Sequence, residues 1–103
     1  MGFLCIDIGG TNTILGAGNG EFETVAKYRT SEFIMDVSGK VNQALEDTHL
    51  SEDDIQQTAV AAAGPIDREK MVFYPPNISD EIGMDKIDLG KALEDFGDIT
   101  IIN

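Results

Sequence analysis

Cysteine is nearly missing from this 103-residue chain: only Cys5 is present. One thiol excludes an internal disulfide and fits a reducing, cytoplasmic setting. Cys5 sits inside an apolar strand pattern and reads as core rather than as a nucleophile. Histidine is equally scarce, with His49 alone and no neighbouring histidine or cysteine to share a metal. Basic residues are few: 7 Lys and Arg stand against 19 Asp and Glu, a net charge of -12. Such a surface repels nucleic acid and anionic membranes, which argues against both as partners. No apolar run approaches the roughly 20 residues that a membrane span needs. The opening Met1-Gly2-Phe3 runs into a strand pattern, without a basic leader and cleavage site, and Ile6 stands where a myristoylation signal needs Ser or Thr. No internal repeat and no low-complexity segment is visible.

What remains is a globular composition, 42% hydrophobic, long enough for one domain with a modest core. The chain is organised around Asp7-Ile8-Gly9-Gly10-Thr11-Asn12-Thr13. Apolar runs on both sides, Phe3–Ile6 and Ile14–Ala17, make this a strand, a tight turn and a second strand. Adjacent glycines allow positive φ, and consecutive N–H groups can then face one concavity and hold a phosphate. Thr11 and Thr13 add hydroxyls and Asn12 an amide. Asp7, near the end of an apolar strand, would be costly unpaired, and a magnesium ion held directly or through water offsets that cost. The simpler reading is a hairpin that turns on Gly-Gly, and this motif alone leaves both open.

Asn19-Gly20 predicts a two-residue hairpin turn, with a third strand at Phe22–Tyr28, so the first three strands form an antiparallel meander. A helix is predicted from Ser31 or Glu32 through Thr48, with Ser31 as N-cap. Ser51-Glu52-Asp53-Asp54 reads as the capped, acidic first turn of a short helix. A small-residue strand from Gln57 to Ala63 ends at Gly64-Pro65, and its small side chains permit helices on both faces. A charged turn at Arg68–Lys70, a short strand at Met71–Tyr74 and a stiff Pro75-Pro76-Asn77-Ile78 segment follow. Asp88 can cap a second helix that Gly97 ends, before a last strand, Ile99–Ile102. Helical crossovers make the later strands parallel to the first. The expected fold is α/β, a mixed five-stranded sheet flanked by helices. Ligands bind such sheets at the carboxyl ends of parallel strands, so the glycine loop, Gly64-Pro65 and Asn103 should border one cleft. The stop at the exit of a strand reads as a fragment, or as half of a larger protein.

Four segments resemble the glucokinase and ROK sugar kinases. Asp7-Ile8-Gly9-Gly10-Thr11-Asn12 is similar to their first phosphate motif, and Ala62-Ala63-Gly64-Pro65-Ile66 to their Gly-Pro loop. Pro76-Asn77-Ile78 resembles their Pro-Asn-Leu segment, and Ile101-Ile102-Asn103 the strand that ends in Asn-Asp. The matches keep family order and spacing from end to end. The resemblance implies an actin-like, ribonuclease-H-like fold of two domains, of which residues 1–103 are the N-terminal, sugar-side one. It implies ATP, Mg2+ and a hexose, most simply glucose, as cofactors and substrate, and admits a homodimer. Asp7, Gly9, Gly10, Thr11, Asn12 and Thr13 would serve the phosphates and metal. Gly64, Pro65, Asn77 and Asn103 would serve the sugar, although Asn77 can equally well cap its own loop. The family's general base would follow Asn103 directly, which makes the 103-residue fragment inactive by itself. Where the family usually has an aromatic residue after Pro-Asn, this chain has Asp80-Glu81-Ile82-Gly83. Two rival readings are a sugar-responsive transcription regulator of the same group and an actin-like ATPase that is not a kinase. The first would carry a helix-turn-helix before the first strand; the second would not need Asn103.

Overall fold

The structure, a computed structural model, describes residues 2–75, 83 and 85–102. Strands β1 (Gly2–Ile8), β2 (Asn12–Gly18) and β3 (Phe22–Arg29) form the antiparallel meander. Helices α1 (Thr30–Phe33) and α2 (Val37–Leu45) and a 3-10 turn at Glu52–Asp54 lead into β4 (Ile55–Ala62). Short strands β5 (Ile66–Asp67), β6 (Val72–Phe73) and β7 (Ile87–Asp88) make a separate small sheet. Helix α3 (Leu89–Ala92) then precedes β8 (Asp98–Ile101). The main sheet has the order β3-β2-β1-β4-β8, with β4 parallel to both β1 and β8. This is the mixed five-stranded sheet that the sequence predicts.

Alternation along the strands decides the core. Leu4, Ile6 and Ile8 of β1 pair with Ala17, Leu15 and Thr13 of β2 and with Thr58, Val60 and Ala62 of β4. All nine are buried, so they share one face. Val37, Val41, Ala44 and Leu45 of α2 bury against that face, as do Phe33, Leu89, Leu93 and Phe96. Thr58 belongs to it too, and its hydroxyl donates to the Phe96 carbonyl at 2.7 Å. Both crossovers step the same way across the sheet, and right-handed crossovers in one direction put their helices on one side. The small residues of β4 had allowed helices on both faces. Among the described residues the opposite face, with Phe3, Cys5, Gly16, Phe22 and Ala59, is only partly covered.

Four local predictions are corrected. The long helix after Thr30 is two helices, because Asp36 leaves helical geometry (φ -155, ψ 70) and its carboxylate accepts from the Gly39 N–H at 3.2 Å. A short acidic side chain competes with the helix for backbone donors in this way. Ser31 does not cap α1; Arg29 occupies that position, without a side-chain bond. The Asn19-Gly20 turn has three residues, since Gly18 pairs with Phe22. In the sequence Phe22, Thr24, Ala26 and Tyr28 alternate with Glu23, Val25 and Lys27 as if on one face, but a register shift between Leu15 and Gly16 splits that set. Ala26 and Tyr28 pair with core-facing Leu15 and Thr13, whereas Phe22 and Thr24 pair with Gly18 and Gly16 on the open face. Ser51 and Asp88 cap as predicted: Asp54 accepts from the Ser51 N–H at 2.8 Å, and Asp88 from the Lys91 N–H at 3.0 Å.

Candidate functional site

The carboxyl ends of β1, β4 and β8 lie side by side at one edge of the sheet. Ile8 is level with Ala62, and Val60 with Ile101. The pairing continues past the strands: the Ala63 N–H donates to the Ile8 carbonyl at 2.8 Å, and the Ile102 N–H to the Val60 carbonyl at 2.9 Å. The glycine loop that follows Ile8 and the Gly64-Pro65 turn that follows Ala63 therefore meet at one rim, though more than 50 positions separate them in the chain. The end of β8 completes it. Asn77 and Asn103, the other predicted sugar residues, lie outside the described residues.

Within the loop, the Gly9 N–H donates to the Asn12 carbonyl at 2.9 Å, which closes a tight turn. The reason for glycine here differs from the predicted one. Among the described glycines, positive φ occurs at Gly20, Gly64, Gly83 and Gly97, and not at Gly9 or Gly10. A Cβ on Gly9 would instead stand 2.7 Å from the Asn12 carbonyl oxygen, inside any real carbon–oxygen contact. At Gly10 a Cβ would meet nothing within 4 Å, so glycine there leaves the rim open and its N–H uncrowded. Gly64, with φ 149, does use a conformation that favours glycine.

Asp7, Gly10, Thr11 and Asn12 are exposed at the rim, and Gly9 is half-buried. Asp7 points away from the core face, opposite Ile14 on one side and Ala61 on the other. Its exposure removes the burial cost that had called for a cation. No group of three or more potential metal-ligating side chains exists among the described residues. A single exposed carboxylate beside an open turn is nevertheless compatible with Mg2+, which keeps most of its waters and takes only one or two carboxylates.

Thr13 is placed differently from its prediction. It is fully buried, and its hydroxyl lies 2.9 Å from the hydroxyl of Thr30 in the core. It cannot line the rim; it supports the loop from behind. Thr30 and Arg68 were not singled out in the sequence. The Thr30 hydroxyl donates to the Gly9 carbonyl at 2.7 Å, and its N–H to the Thr11 carbonyl at 2.8 Å. Arg68, read as part of a charged turn, donates to the Ile101 carbonyl at 3.0 Å and brings a cation to the end of β8. Thr30 reaches Gly9 across 21 positions and Arg68 reaches Ile101 across 33, and no local pattern announces such contacts. His49 is exposed, in a shallow concavity beside Asn42, Glu46 and Asp54, away from the rim.

The sequence matches the family profile described as Glucokinase over residues 4–103. No curated protein sequence is similar enough to count as a match. Among solved structures, a glucokinase from Balamuthia mandrillaris in complex with glucose superposes with a TM-score of 0.65 at 22% identity, covering 99% of this chain and 29% of that one. A protein from Cytophaga hutchinsonii ATCC 33406 assigned as a sugar kinase gives a TM-score of 0.70 at 17% identity, covering 100% of this chain and 36% of that one. A ROK hexokinase from Thermus thermophilus gives 0.57 at 17% identity, with 100% and 35% covered. These likenesses show the fold, that of the actin-like sugar kinases. The chain spans about a third of the length of each of the three structures.

Proposed function

The chain belongs to the glucokinase family, and from that premise we propose that it is the N-terminal, sugar-side domain of a two-domain hexose kinase that moves the terminal phosphoryl group of ATP to a sugar hydroxyl. One observation supports this reading above the others: the loop after β1, the Gly64-Pro65 turn and the end of β8 share one rim. Phosphoryl transfer is mostly positioning and charge neutralisation. In this reading the loop Gly9–Asn12 turns the free N–H of Gly10 toward phosphate oxygens, and Thr11 adds a hydroxyl. Asp7 would hold Mg2+ through water. Bound Mg2+ supplies charge neutralisation at the phosphates.

Gly64 and Pro65 form the sugar side. Asn103 follows Ile102 directly, and its amide can donate to and accept from a sugar hydroxyl without carrying charge. The base that takes the hydroxyl proton would be the residue after Asn103. The Balamuthia relative holds glucose, which makes glucose the first sugar to test.

The test is the full-length protein with glucose, ATP and Mg2+ in a coupled assay for ADP. Sugar-dependent ADP release is the expected result, with none from residues 1–103 alone. Absence of turnover across a panel of hexoses ends the kinase reading, and turnover by the fragment refutes the placement of the base.

A further inference from the structure

We propose that Thr30 is the positioning residue of the glycine loop, setting the direction of the Gly10 N–H; the inference rests on the reading of that loop as a phosphate site. Thr30 is the first residue of α1 and is 1% exposed. Its hydroxyl has one proton and two acceptor positions. That proton goes to the Gly9 carbonyl, 2.7 Å away. The 2.9 Å contact with the Thr13 hydroxyl must then run the other way, with Thr13 donating to Thr30. The result is a directed chain, Thr13 to Thr30 to the Gly9 carbonyl, with both hydroxyl-bearing residues buried. The Thr30 N–H holds the Thr11 carbonyl at 2.8 Å, so one residue grips the loop on both sides of Gly10.

The consequence follows from the peptide plane. The Gly9 carbonyl and the Gly10 N–H belong to one trans peptide unit and point in opposite directions. Fastening the carbonyl inward on Thr30 turns the N–H outward, at an exposed residue where a Cβ would meet nothing within 4 Å. Losing the Thr30 hydroxyl leaves that peptide free to rotate, and the donor loses its fixed direction.

The test compares Thr30→Val, which keeps the shape without the hydroxyl, with Thr30→Ser, which keeps the hydroxyl, in the full-length protein. ATP affinity is read by calorimetry, and KM for ATP and for the sugar by kinetics. The expected result is a loss of about tenfold in ATP affinity for T30V, the scale of one hydrogen bond, with recovery in T30S. The sugar KM should stay unchanged. Equal losses in T30V and T30S would assign Thr30 to packing alone and overturn the proposal. So would wild-type ATP affinity in T30V, or a loss shared equally by the sugar. If T30V does not fold, Thr30→Cys, a weaker donor of similar size, is judged by the same results. The calorimetric arm needs no turnover. A wild type that binds ATP and phosphorylates no hexose would end the kinase reading and leave Thr30 to be judged by binding.

Discussion

At Gly9 the side chain is excluded by a neighbour, not by backbone torsion. The Asn12 carbonyl closes over the position at 2.7 Å from where a Cβ would stand. Gly9→Ala should therefore push the turn apart and cost ~1–3 kcal/mol, as overpacking does. Denaturant unfolding of the 103-residue chain measures it, and Gly10→Ala, which meets nothing, is the control. A smaller loss at Gly9 than at Gly10 would contradict the reading. The string Asp7–Asn12 was legible in the sequence because its residue types are specific to a turn that exposes backbone. The inward role of Thr13 was legible only in part. Alternation along β2 puts Thr13 on the face of Leu15 and Ala17, so its burial could have been read there. Its partner could not, because Thr30 meets it only after β3 folds back.

Among the elements, the 3-10 turn before β4 carries a pH-sensitive contact. Hydrogen bonds from the Ser51 N–H and hydroxyl hold the Asp54 carboxyl below its usual range. A carboxyl whose folded value is lowered adds stability above the unfolded value, near 3.9, and loses it as pH falls through the folded one. The gap in Tm between the wild-type chain and Asp54→Asn should thus be present at a pH of about 6 and shrink steadily as pH falls below about 3.9 through the lowered folded value. A gap that keeps its size at acid pH would show that the charge plays no part. The break between α1 and α2 belongs to the same scale. Phe33, Ile34, Val37 and Val41 fit one helical period, which hid the interruption. The signal was Asp36 itself, three residues before Gly39, a short acid placed where it can bond a helix N-terminus. The shift in β3 had no signal: Phe22, Thr24, Ala26 and Tyr28 alternate without a flaw, and only the pairing shows that they divide between two faces.

For the molecule as a whole, sequence order was enough for the sheet, because right-handed crossovers leave few arrangements of three antiparallel strands and two helical returns. It was not enough for the covering of that sheet, since alanines in β4 suit tight packing and an open surface alike. The two faces should answer differently to mutation. Phe33, fully buried, should cost ~3–5 kcal/mol when replaced by alanine. Phe22, 53% exposed beside Phe3, should stay within ~1 kcal/mol of wild type in the same chain. Equal losses at the two positions, by urea unfolding, would mean that the open face is packed in solution.

The strand order also imposes a sequence of events on folding. The clamp on the glycine loop spans 21 positions at most, from Gly9 to Thr30, whereas the neighbouring contact between Ile8 and Ala63 spans 55. Loop-closure entropy delays distant pairings relative to near ones. The glycine-loop half of the rim can thus take shape within the β1–β3 meander, and the Gly64-Pro65 half must wait for the chain to return. During synthesis on the ribosome, the glycine loop can therefore close before the Gly64-Pro65 turn arrives beside it.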